Sequence, residues 1–79
     1  MRLDKFLKVS RIIKRRTVAK EACENERVTI NSKIAKPGTE VKEGDILEIK
    51  YANKTIKYEI ISVLEHVKKE DAQNMYKII

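Results

Sequence analysis

Apolar residues near the start of the chain recur at a helical spacing. Leu3, Phe6 and Leu7 fall at i, i+3 and i+4, ringed by Arg2, Lys5 and Lys8, which predicts an amphipathic first helix. Ile12 and Ile13 carry apolar content across a break near Ser10. Thr17 is the expected N-cap of a second helix, without a capping box because Lys20 stands three residues on. Val18, Ala19, Ala22 and Cys23 give that helix a narrow face of small residues for close packing on the first.

From Val28 the period shortens to two. Val28 and Ile30 alternate with Thr29 and Asn31, and Asn31-Ser32 turns the chain into "KIAK". Pro37-Gly38 and Glu43-Gly44-Asp45 bound a loop. In "ILEIKY", Leu47, Ile49 and Tyr51 share one face, with Glu48 and Lys50 on the other. Past the polar turn Ala52-Asn53-Lys54, Ile56, Tyr58 and Ile60 repeat the alternation, so a hairpin is predicted. Ala72, Met75, Tyr76 and Ile79 return to helical spacing, as a short closing helix would. Two helices, short antiparallel strands and a last helix predict a small α+β domain, with Leu3, Phe6, Leu7, Val18, Ala22 and Val28 in its core.

At 79 residues the chain makes one domain over 1–79. A domain of this size buries only about 60% of its unfolded surface, which disfavours a large enclosed active site. Its single cysteine, Cys23, allows no disulfide framework, and a buried packing role suits it. A reducing, cytoplasmic setting is expected. No run of apolar residues approaches a membrane span, and the basic start lacks the apolar stretch of a signal peptide.

Charge changes the picture most. The formal net charge is +6 and the pI about 9.6, which points to anionic partners. The excess is local: residues 1–20 hold eight Lys or Arg and one acid, Asp4, while residues 21–79 hold ten basic and eleven acidic residues. Arg11, Lys14, Arg15 and Arg16 crowd into six positions beside the start of the second helix. Repulsion disfavours such a cluster unless an anion lies against it. A helix N-terminus and arginine forks together make a seat for phosphate.

Catalysis finds little support. His66, the one histidine, has Lys68 and Lys69 beside it and no evident carboxylate to orient it, so a solvent-facing position is expected. The acids are scattered, and two glycines cannot make a phosphate loop. No enzyme, no cofactor and no metal site is predicted.

The stretch "RLDKFLKVSRIIKRRTVAKEACENERVTINSKIAK" resembles the αL RNA-binding domain named after small-subunit ribosomal protein S-four. Arg2, Leu3, Asp4 and Leu7 match its R-L-D-x-x-L opening. Ser10, Arg11 and Arg16 match its S-R step and later Arg, and Val28, Ile30 and Asn31 match its closing V-x-I/V-N-G. The resemblance covers about residues 1–50, leaving a hairpin and helix over about 51–79. Ser32 stands where the family has a turn Gly, and Glu26 where Gly is frequent.

A stand-alone copy ending in "KKEDAQNMYKII" is similar to bacterial ribosome-associated quality-control members of that family, relatives of the fifteen-kilodalton heat-shock protein. The resemblance implies association with the large ribosomal subunit carrying stalled peptidyl-tRNA, and contact with large-subunit rRNA and tRNA. It also implies support for alanine-tail addition by a partner elongation factor, and a cytoplasmic, ribosome-associated location.

The expected RNA-binding set is Arg2, Lys5, Arg11, Lys14, Arg15, Arg16 and Lys20, extended on the first hairpin by Asn31, Lys33 and Lys36. Asp4 is expected to hold a neighbouring arginine, with Arg15 and Arg16 both facing solvent. Few aromatics exist to stack bases, so folded RNA is expected to be read through its shape and backbone. A monomer is expected. A helix-turn-helix DNA binder is the rival, but Glu21, Glu24 and Glu26 would face the phosphates of a groove. A membrane-surface binder would have to expose Leu3, Phe6 and Leu7, which the core needs.

Overall fold

The computed structural model describes all 79 residues. Helix α1, Leu3–Val9, buries Leu3, Phe6 and Leu7 completely, as their spacing predicts. Each such side chain contributes about 1.5–3 kcal/mol by leaving water. Its first amides are satisfied from outside the helix: Leu3 N–H donates to Thr39 C=O (2.8 Å) and Asp4 N–H to Pro37 C=O (3.1 Å). The helix stops at Ser10, and Arg11 then takes a left-handed φ of 62°.

Helix α2, Arg16–Glu24, lies on α1 through Ala19 and Cys23, one turn apart and both buried. Two departures from the pattern appear here. Arg15, not Thr17, is the N-cap, and it offers no side-chain cap. Val18 is 46% exposed because it flanks the Ala19–Cys23 row, whereas Ala22 is half-buried and packs against the edge of the core.

The α2 C-terminus is a Schellman turn: Arg27 N–H donates to Ala22 C=O and Glu26 N–H to Cys23 C=O. Glu26 sits at φ 60°, where glycine is the usual residue. Strands β1 (Val28–Ile30) and β2 (Lys33–Ile34) then pair across Asn31 and Ser32, at φ 51° and 70°. Positive φ at both central residues makes this a type I′ turn. Glu26→Gly and Ser32→Gly should therefore each raise stability by about 1 kcal/mol, read as a higher urea midpoint at unchanged slope.

Strands β3 (Ile46–Lys50) and β4 (Thr55–Ile60) form the predicted hairpin, with Leu47 opposite Tyr58 and Ile49 opposite Ile56. The closing segment differs from its helical spacing. A 3-10 helix covers Lys69–Met75, and Tyr76–Ile78 forms a fifth strand, β5, on the outer edge of β4. "YKI" can alternate as well as coil, and the open ladder of β4 supplies backbone partners that a further helical turn would leave unused.

The sheet is antiparallel throughout, in the order β2-β1-β3-β4-β5. Val28, Ile30, Leu47, Ile49, Tyr58 and Ile60 line one face and share a single core with α1 and α2. On the other face Glu48 opposes Lys57 and Glu59 opposes Lys77. Tyr51, just past β3, is half-buried, its hydroxyl 3.1 Å from that of Tyr58. No helix is long and apolar enough to cross a membrane.

Candidate nucleic-acid interface

Asp4 organises the basic end of the molecule. It sits in the first turn of α1 at 3% exposure, and its Oδ1 accepts the Lys5 N–H at 2.8 Å. Arg2 Nε lies 3.3 Å from Oδ1, and Arg2 Nη2 donates to Oδ2 at 3.3 Å. From the start of α2, Arg16 Nη2 donates to Oδ1 at 3.4 Å. One buried carboxylate thus holds two guanidiniums, one from each helix start. Each arginine side chain remains about half exposed, so donors not used on Asp4 face outward. Arg16 faces solvent as expected, with one of its donors tied to Asp4.

The two helix starts differ. The first amides of α1 are taken by the 37–39 loop, whereas the Arg16, Thr17 and Val18 N–H groups have no acceptor. The α2 start is therefore an open set of donors at the positive end of a helix dipole. Around it stand Lys14 and Arg15, exposed and without ion-pair partners, and Lys20, one turn beyond Arg16 on the same face.

The remaining candidates separate. Lys5 is paired with Glu65. Arg11 and Lys14 line a cleft beside the loop that follows β4. Lys33 is exposed on edge strand β2. Lys36 lines a groove with Glu24 and Glu26, at the opposite end of α2 from the open amides. Asn31 has its amide engaged within the protein: Nδ2 donates to Asp45 Oδ1 at 3.1 Å, and Oδ1 accepts Ile46 N–H at 2.9 Å. It locks the β1–β2 turn to the head of β3. Lys8 and His66 also line the cleft; neither belongs to the expected RNA-binding set, and His66 is exposed as expected.

Cys23 is a packing residue. Burial, then the nearby Asp4 and Glu24 charges, push its thiol up to about 11. The folded state holds this proton more tightly than the unfolded chain, so stability is intact below the ordinary value of 9.0 and falls as pH rises toward 11. Thermal melts should show that loss above pH 9, and Cys23→Ala should flatten it.

The S4 domain family matches residues 1–47. The chain belongs to the S4-domain family. Over 78 residues it is 58% identical to the "RQC P-site tRNA stabilizing factor" of Halalkalibacterium halodurans, covering 99% of this chain and 89% of that protein. The protein of the same name from Listeria monocytogenes is 56% identical, covering 100% and 86%. The trimeric structure of Vibrio cholerae Heat Shock Protein 15 superposes with a TM-score of 0.90 at 26% identity, covering all of this chain and 81% of that one. The S4 match ends inside β3, so α1, α2 and the first hairpin are the shared element. Asp4, Arg2 and Arg16 all lie within it.

Proposed function

We propose that this S4-domain protein is a non-catalytic RNA-binding factor of ribosome-associated quality control. It holds tRNA in the P site of a large ribosomal subunit carrying stalled peptidyl-tRNA, and touches rRNA beside it. The names borne by its relatives support the setting. The observation that carries the reading is the Asp4-held pair Arg2 and Arg16, set beside the open amides of α2. Fixed guanidiniums and helix-end donors suit phosphate oxygens, and they fit a backbone whose path is already folded.

Base readout is disfavoured by burial. Phe6 and Tyr58 lie in the core, and Tyr51 and Tyr76 are half-covered. Recognition then rests on A-form geometry, ribose hydroxyls and phosphate spacing. In the cytoplasm the protein acts as a monomer on the stalled subunit. Steadying the tRNA there supports alanine-tail addition by a partner elongation factor.

Competition binding tests the reading. At about 0.15 M salt a folded tRNA should outcompete duplex DNA of equal phosphate count, and log K should fall linearly with log salt. Arg15→Ala should make that slope shallower by about one, and Lys57→Ala should leave it unchanged. Indifference between tRNA and DNA would return the molecule to general polyanion binding.

A further inference from the structure

We propose that the cleft between the α1–α2 connection and the loop after β4 seats a backbone phosphate of the bound nucleic acid, with His66 among its donors. This rests on the nucleic-acid reading and extends the interface beyond the S4 element, to residues that follow it by nearly twenty positions.

The cleft has a volume of about 270 Å³. Lys8 reaches it from the last turn of α1, Arg11 and Lys14 from the connection, and Glu65 and His66 from the facing loop. Three cations and an imidazole therefore share a space with one carboxylate. That carboxylate is already paired with Lys5, which pins the loop against α1. The bond from Lys5 holds the Glu65 carboxyl below its usual range, so Glu65 stays ionised at neutral pH. Lys8, Arg11 and Lys14 have no ion-pair partner in the protein, and the single carboxylate beside them leaves an excess of positive charge that an anion in the cleft would balance.

Arg11 points the same way independently. It holds a left-handed φ of 62° at the end of α1, a position that costs a bulky residue about 1–2 kcal/mol and that glycine occupies freely. A strained backbone kept under a cationic side chain is accounted for if the side chain is used. Histidine is the side-chain type that changes charge between about pH 5 and 8. The other charged groups facing it are Lys8, Arg11, Lys14 and the ion-paired Glu65, with Lys68 and Lys69 following in the chain.

Titration of the full-length protein against fluorescent tRNA, at constant ionic strength and at pH 6 and pH 8, decides the matter. Wild type should bind about threefold or more tighter at pH 6. His66→Ala should lose that difference, and Lys77→Ala should keep it. Lys8→Ala should weaken binding about threefold at both values. Arg15→Ala reports on the interface as a whole. If it weakens binding while His66→Ala and Lys8→Ala match wild type at both pH values, the cleft is not a phosphate seat and the nucleic-acid reading stands. If none of the three variants changes tRNA affinity, the parent reading falls with it.

Discussion

Lys14→Glu combined with Arg15→Glu should abolish co-sedimentation with large ribosomal subunits while leaving a normal thermal melt. Both side chains are exposed and make no ion pair, so their replacement touches neither the core nor Asp4. Surface changes of this kind alter stability by within about 0.5 kcal/mol. The local field changes far more: residues 1–20 fall from a net charge of +7 to +3. Two attractions beside the open amides of α2 become repulsions, and affinity should drop about a hundredfold or more at 0.1 M salt. Arg16 would be a poorer choice for this test. A glutamate there would stand next to the buried Asp4 carboxylate and mix a folding defect with a binding defect. A folded double mutant that still travels with the subunit would remove this surface from the contact.

Asp4→Asn should weaken tRNA binding even though it makes the protein more basic. Simple charge counting gives the opposite sign, since the net charge rises from +6 to +7. The asparagine could still accept the Lys5 N–H, but its neutral amide would no longer hold Arg2 and Arg16. Loss of charge-assisted bonds to a buried acceptor should cost about 1–2 kcal/mol, discounted because both arginines are half solvated. For a domain of this size that is roughly a 5–15 °C fall in Tm. Glu40→Gln is the control, with the same change in net charge at an exposed carboxylate that pairs with the N-terminal ammonium and with neither arginine side chain. Tighter binding by Asp4→Asn and Glu40→Gln alike would mean that Asp4 positions nothing.

Much of this architecture is legible along the chain because the deciding interactions are local. The Leu3-Phe6-Leu7 stripe, the β3–β4 alternation and the Asn31-Ser32 turn each specify their own geometry within a few residues. The role of Asp4 follows from a lone acid among eight cations. What is not legible depends on partners distant in sequence. β5 exists because β4 has an open edge, and its residues fit a helical period equally well. The cleft joins Lys8 to His66 across 58 positions, and nothing near either residue marks the meeting. Asn31 matches a family motif, but only the fold shows that Asp45 and Ile46 occupy its amide. Val18 shows the limit of periodicity on a short helix, where a contact made by Ala19, Ala22 and Cys23 leaves a flanking apolar residue outside.

The two outer strands have a bearing on how the protein behaves at high concentration. β2 contributes two residues and β5 three, so either flank of the sheet offers an incoming chain only a few unpaired amides and carbonyls. Ile34 and Ile78 lie open on those flanks and would otherwise invite stacking into fibrils. Brevity, with a lysine beside each isoleucine, deprives such growth of a template. Lengthening β5 with alternating apolar residues should turn a dispersed protein into one that precipitates on mild heating.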